Sequence, residues 1–119
     1  MKKDKIIYWI TTGLVSVMMV FSAIGYFTNP DMKNAFVHLG FPDYFRVELG
    51  TAKILGVIAL LLPMISSKIK EFAYFGFGLT FISAFIAHIS SGDTISVAIA
   101  PIVFLVILIV SYVSYNKIK

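Results

Sequence analysis

The sequence has no cysteine among its 119 residues, and only 13% of its residues are charged. The missing thiols exclude disulfide exchange, thiolate nucleophiles, iron–sulfur clusters and cysteine-based zinc sites. The sequence also shows no glycine-rich phosphate loop, nucleophile–base spacing or carboxylate-rich metal cluster. We therefore expect no self-sufficient enzyme, although a redox-linked accessory role stays open.

Apolar side chains, in contrast, make up 59% of the chain. Soluble domains carry about 25% charged residues, and a chain of this size cannot bury so much apolar surface. The sequence predicts an all-α integral membrane protein in which one domain, residues 1–119, forms a bundle of four transmembrane helices. The predicted spans cover residues 6–27, 43–63, 71–89 and 94–115. The first run is too long for the core of a secretory signal.

A short amphipathic helix is predicted over residues 30–39, between the first two spans. Asn29 can cap its N-terminus, Pro30 suits its first position, and Gly40 can end it in a left-handed conformation. At about ten residues it is too short to cross a bilayer, so we expect it in the interface or over the mouth of the bundle. Its apolar stripe consists of Met32, Ala35, Phe36 and Leu39.

The basic residues predict the orientation. They concentrate in both tails and in the connection between the second and third spans, which the positive-inside rule places in the cytoplasm. We therefore expect a multi-pass protein of the plasma membrane with both termini cytoplasmic. The lipid bilayer is its first partner, and the net charge of +4 gives no reason to expect nucleic acid. The residues concerned are Lys2, Lys3, Lys5, Lys68, Lys70, Lys117 and Lys119.

Glu48 and Lys53 are ionisable side chains inside the second predicted span. At 1.5 Å per residue, they would lie about 7 Å and about 15 Å from its start. Such groups are costly in hydrocarbon and are functional-site hypotheses by default. His88, on the third span, would lie near the level of Glu48. We therefore predict an outer-leaflet polar cavity formed by Glu48, Lys53, His88 and Arg46, with Asp93 nearby.

Two interpretations of Glu48 and Lys53 remain open. In the first they anchor a small ligand, a quinone or a proton in a cavity. In the second they are interhelical locks that fix the register of the bundle. Because they are five residues apart, about 140° around a helix, they should not pair with each other. The hydroxyls that could satisfy them as locks belong to Thr12, Ser16, Thr80 and Ser83.

The remaining polar residues have simpler interpretations. His38 should face solvent, Lys70 and Glu71 should form an ordinary surface pair, and Arg46 could contact a lipid headgroup. Asp93 could cap the fourth span. For helix packing we predict Gly50, Gly56, Gly76 and Ser83, the last two within a small-residue seam on the third span. That seam consists of Ala73, Gly76, Thr80, Ser83, Ala84 and Ala87.

Several short motifs, taken in their order and spacing, resemble the DoxX-like family of small membrane proteins. The resemblance implies a four-helix membrane bundle and offers no settled catalytic residues. For some relatives it implies an association with quinone-dependent redox enzymes, so a quinone is the cofactor and a redox enzyme the partner that it suggests. The motifs are Gly40-Phe41-Pro42, Glu48-Leu49-Gly50, Lys53-Ile54-Leu55-Gly56, Leu60-Leu61-Leu62-Pro63, the run from Lys70 to Gly76, His88, and Gly92-Asp93.

Three functions are therefore considered. The first is an accessory membrane subunit or a binder of a small lipophilic molecule. The second is a small proton-coupled transporter that uses Glu48. Small multidrug transporters are four-helix proteins of similar length, but their essential acid lies in the first span, and the first span of this chain has none. The third is a membrane assembly factor. A homo-oligomer is compatible with each of them.

Overall fold

The computed structural model describes residues 2–118, and this part of the chain is helical apart from short connections. The all-α class predicted from the sequence is confirmed. The described residues form five helices: α1 (Lys2–Thr28), α2 (Pro30–His38), α3 (Asp43–Leu61), α4 (Ser67–Ser90) and α5 (Ile95–Ile118). The short α2 begins where it was predicted, and the long helices extend the predicted spans by a few residues at several ends.

The four long helices form a ring in which α1 packs against α3 and α5, while α4 packs against the same two helices. The pairs α1 with α4 and α3 with α5 are diagonal. Successive long helices run in opposite directions, as in an up-down bundle. We call the end that holds Lys2 and Ile118 the terminal end and the opposite end the α2 end. The helix α2 packs against α1 and α3 there.

Within residues 2–118, three helices are long and apolar enough to cross a membrane: α1, α4 and α5. The 19-residue α3 is not one of them, because it carries Asp43, Arg46, Glu48 and Lys53. The prediction of a membrane protein is therefore supported by three candidate spans, whereas the fourth predicted span is not established by length and composition. The single-domain assignment stays a prediction.

The helices α2 and α4 end in the same way at the α2 end. Gly40 and Gly92 follow these helices with φ angles of 85° and 78°, in the left-handed region that favours glycine. In each case the next residue donates its backbone N–H to a carbonyl five positions back, from Phe41 to Phe36 and from Asp93 to His88. This is the Schellman arrangement, which brings the two side chains concerned close together.

A chain of hydroxyl groups joins three helices in the terminal half of the bundle. The Ser111 hydroxyl lies 2.6 Å from that of Thr12 on α1 and 2.7 Å from that of Tyr74 on α4. All three residues are buried. Because each hydroxyl has a partner there, these polar groups hold the register of the helices without the cost of an unpaired buried group.

Candidate functional site

A cavity of about 630 Å³ lies between α3 and α4 and beneath α2, and all five helices contribute to its wall. Its size falls within the range of about 300–1,000 Å³ that is usual for small-molecule sites. Most of the wall is apolar, with aromatic rings from Phe36, Phe45, Phe81 and Phe104. The apolar stripe of α2, from Met32 to Leu39, faces this space and forms its roof.

The side chain of Lys53 forms part of this wall. It is buried, with 5% of its surface exposed. Its ammonium donates hydrogen bonds to the hydroxyl of Ser22 at 2.8 Å and to that of Tyr26 at 2.6 Å. It also lies 4.0 Å from the centroid of the Tyr26 ring, within the range of a cation–π contact. Every one of these partners is neutral and belongs to α1.

Two glycines on the same face of α3 allow this placement. A Cβ atom at Gly50 would lie 2.9 Å from the Phe27 ring of α1, and one at Gly56 would lie 2.5 Å from the Phe77 ring of α4. Both distances are shorter than van der Waals contact. Since Gly50, Lys53 and Gly56 are spaced by three residues, the close approach on either side directs the lysine toward the interior.

Arg46 does not reach the cavity. Its guanidinium donates to the backbone carbonyl of Tyr26 and, at 3.1 Å, to the carboxylate of Asp43. The Tyr26 carbonyl belongs to the last turn of α1, where such groups lack helical partners, so Arg46 caps the end of that helix. Arg46 therefore binds the end of α1 and does not line the cavity, where it was predicted.

Glu48 does not reach the cavity either. It lies on an exposed face of α3 with Thr51, Ala52 and Leu55. Within residues 2–118 its carboxylate forms no ion pair, and in particular it does not pair with Lys53, as the angle between the two positions predicts. The predicted grouping therefore separates. Lys53 and His88 line the cavity, and Glu48 and Arg46 lie outside it.

A cluster of His38, His88 and Asp93, which we call the histidine clasp, connects α2 to the turn between α4 and α5. The two carboxylate oxygens of Asp93 accept from Nε2 of His38 at 2.9 Å and from Nδ1 of His88 at 2.7 Å. The hydrogen bond from His88, followed by that from His38, holds the pKa of Asp93 below its ordinary value. His38 is exposed, as expected, and it also binds Asp93, whereas Asp93 binds the two histidines in place of the predicted cap of α5.

The predicted packing residues of α4 have other surroundings. Gly76 is exposed and has no atom within 4 Å of the place where a Cβ would lie. Ser83 is exposed and borders the cavity. The seam predicted on α4 therefore contributes to the cavity wall through Ser83, Ala84 and Ala87, while Gly76 lies on the outside of the bundle.

The sequence did not predict the two partners of Lys53 or the position of Lys70. Ser22 and Tyr26, which bind Lys53, were not among the hydroxyls considered, although Thr12 was and instead binds Ser111. Lys70 was assigned to a surface pair. It is buried, and its ammonium donates to the carbonyls of Ala59, Leu60 and Leu62 at the end of α3.

No group of three or more His, Cys, Asp or Glu side chains in the described part of the chain is placed to hold a metal ion, and one ring nitrogen of each histidine in the clasp binds Asp93. The sequence model of the DoxX-like family matches residues 10–111, which is most of the protein. The chain belongs to the DoxX-like family. Its predicted membership is thereby confirmed. No curated protein and no solved structure matches the chain.

Proposed function

We propose that this DoxX-like protein binds a small lipophilic molecule in the cavity between α3 and α4. The observation that supports this function is an apolar cavity of about 630 Å³ with a buried lysine in its wall. An apolar site with few convergent polar groups is the usual form of a small-molecule site. The family resemblance suggests a quinone for some relatives. A quinone would fit this wall, with Lys53 donating to its carbonyl, and would supply electron-transfer chemistry.

The proposal includes a fourth membrane crossing by α3. Near one end of α1, Gly50 contacts Phe27, and near the other end the hydroxyl of Tyr8 donates to the carbonyl of Leu60 at 3.2 Å. The helix α3 therefore follows α1 over most of its length. Its 19 residues give about 28 Å, close to the thickness of the hydrocarbon core. The lysines at the terminal end favour a cytoplasmic location for that end in the plasma membrane.

Cysteine labelling tests this topology directly, because the sequence has no cysteine of its own. Single variants Asn34→Cys and Ser66→Cys place exposed thiols at opposite ends of α3. In right-side-out vesicles we expect a membrane-impermeant maleimide to label the first at once and the second only after permeabilisation. Equal labelling of both from outside would contradict the fourth crossing.

The binding function is tested by filling the cavity. Ala84→Trp adds an indole to the wall, whereas Ile86→Trp adds the same group to the exposed side of α4 as a matched control. Native mass spectrometry should find a lipophilic molecule that co-purifies with the original protein and with Ile86→Trp and is lost with Ala84→Trp. Retention of the molecule by Ala84→Trp would exclude the cavity as its site.

An accessory-subunit role is the second candidate, and the exposure of Glu48 favours it. A carboxylate that faces hydrocarbon is costly, so a partner that covers this face of α3 would be stabilised by it. We expect Glu48→Gln to release a co-purifying partner or second copy without a loss of cavity ligand.

The location of Glu48 outside the cavity gives less support to a proton-coupled transporter. Unchanged pH-dependent flux in liposomes with Glu48→Gln would remove that alternative.

A further inference from the structure

Lys53 is a buried cation that lacks an anionic partner in the described part of the chain. The ion pairs there join Arg46 to Asp43 and the two histidines of the clasp to Asp93. Neutral hydroxyls and a ring face offset part of the cost of removing an ammonium from water, but they do not neutralise its charge. An anion placed beside Lys53 would remove that imbalance.

The ammonium of Lys53 also has a donor to spare. It has three N–H groups, and hydrogen bonds to Ser22 and Tyr26 account for two. The side chain lines the cavity, so the remaining N–H is available to a molecule within it. The ammonium therefore offers one free N–H and one positive charge without an anionic partner, which match a head group with a single negative charge and an oxygen acceptor.

The rest of the wall matches an aliphatic chain. From Lys53 toward α2, it is formed by Leu49 and Phe45 on α3 and by Ala84 and Ala87 on α4. From Lys53 to Phe45 this path follows about 12 Å of helix, and Met32, Phe36 and Leu39 continue the apolar wall beyond it. The path leads from the Lys53 ammonium to an apolar roof, with Ser83 and His88 also in the wall, and this order of a charged end and an apolar end is that of a single-chain amphiphile.

We propose that the cavity binds a long-chain carboxylate, with its head group paired to Lys53 and its chain directed toward α2. This inference rests on the proposed function and specifies the class of molecule that the cavity takes. A carboxylate supplies one negative charge and acceptor oxygens in a small head group.

The test is equilibrium binding of radiolabelled hexadecanoic acid to the full chain in phosphatidylcholine nanodiscs at pH 7.5, with empty discs subtracted. Methyl hexadecanoate has the same chain without the charge, and hexadecyl phosphate supplies a different anionic head. We expect the acid to bind about 10- to 150-fold more tightly than the ester, the range for a hydrogen bond with a charged group. Lys53→Met should abolish this preference and Lys53→Arg should preserve it.

The outcomes separate this inference from the proposed function. If acid and ester bind equally and Ala84→Trp abolishes both, the carboxylate is overturned and the cavity function stands. If neither ligand binds the original protein above the level of Ala84→Trp, both are overturned. Tighter binding of hexadecyl phosphate would replace the carboxylate by a phosphate head. Should Lys53→Met fail to fold, the ratio of acid to ester in the original protein and in Lys53→Arg still decides the question.

Discussion

Lys70 allows the sharpest test of how the bundle is held together. Its ammonium lies 2.6 Å from the carbonyl of Ala59, 3.1 Å from that of Leu60 and 2.8 Å from that of Leu62. The last carbonyls of a helix have no partner within it, and Pro63 prevents the helix from continuing to supply one. A lysine from the next helix thus closes the end of α3.

The expected loss follows from these contacts. A hydrogen bond from a charged group contributes about 1.5–3 kcal/mol. The favourable placement of a cation at a helix C-terminus adds about 0.3–1 kcal/mol. Water at the terminal end can replace part of the three contacts, so we expect Lys70→Met to lower the free energy of unfolding by about 2–4 kcal/mol. For a chain of this length that corresponds to a fall in melting temperature of about 8–16 °C.

The assay is thermal unfolding of the purified protein in a mild detergent, followed by circular dichroism. Lys68→Met is the matched control, because Lys68 is exposed on the same turn and its replacement removes the same charge and leaves the α3 carbonyls in place. We expect it to change the melting temperature by less than about 2 °C, in keeping with a surface position. If the Lys70 and Lys68 variants melt together, the closure of α3 by Lys70 does not stabilise the fold.

Three further predictions use the same unfolding assay. Gly56→Ala should lower the free energy of unfolding by about 1–2 kcal/mol because its Cβ would meet the Phe77 ring. Gly76→Ala should be neutral or stabilising by up to about 1 kcal/mol, and equal effects of the two variants would contradict the contact. Ser111→Ala should cost about 1–3 kcal/mol by leaving two buried hydroxyls without their shared partner, and an unchanged midpoint would show that they find others. Because the pKa of Asp93 is lowered by folding, its contribution is present above its ordinary value of 3.8 and is lost as the pH falls further. The melting difference between the original protein and Asp93→Asn should therefore be present at pH 5 and shrink below about pH 4, and a difference that persists at pH 2 would refute this origin.

The fold could be predicted well because its signals are local. The capped start of α2 at Asn29 and the glycine stop at Gly40 depend on residues next to each other, and both occur as the sequence indicates. The long helices follow from continuous apolar runs. The crossing by α3 could not be established in this way, since four charged residues reduce its resemblance to a membrane span.

The candidate site was harder to predict because it depends on how α3 is rotated. Glu48 and Lys53 point about 140° apart around α3, so only one of the two side chains can face the interior of the bundle. The pattern of apolar residues alone does not show which one it is. The selecting signal is the spacing of Gly50, Lys53 and Gly56 on one face, where close helix contacts turn the lysine inward. The sequence also contains the signal for the clasp. In a Schellman motif around Gly92, Asp93 must lie beside His88.

Long-range partners could not be predicted from spacing. Lys70 contacts carbonyls across a turn that changes the chain direction, and Tyr26 reaches Lys53 from another helix. Their positions follow only after the four helices are assembled in a particular rotation. Lys53 binds α1, as the interhelical-lock interpretation requires, and it also borders the cavity, so its role as an anchor for a ligand stays a prediction.

The hydroxyl chain from Thr12 through Ser111 to Tyr74 gives the bundle unequal ends. Near the termini these hydroxyls join α1, α4 and α5 in the interior. Near α2 the cavity lies between α3 and α4, while Lys53 still joins α3 to α1 through Tyr26 and the histidine clasp joins α2 to the turn after α4. The bundle is therefore closed by interior hydrogen bonds at its terminal end and has a cavity between α3 and α4 at the other. We therefore expect the amide protons around Ser111 to be the slowest to exchange with solvent.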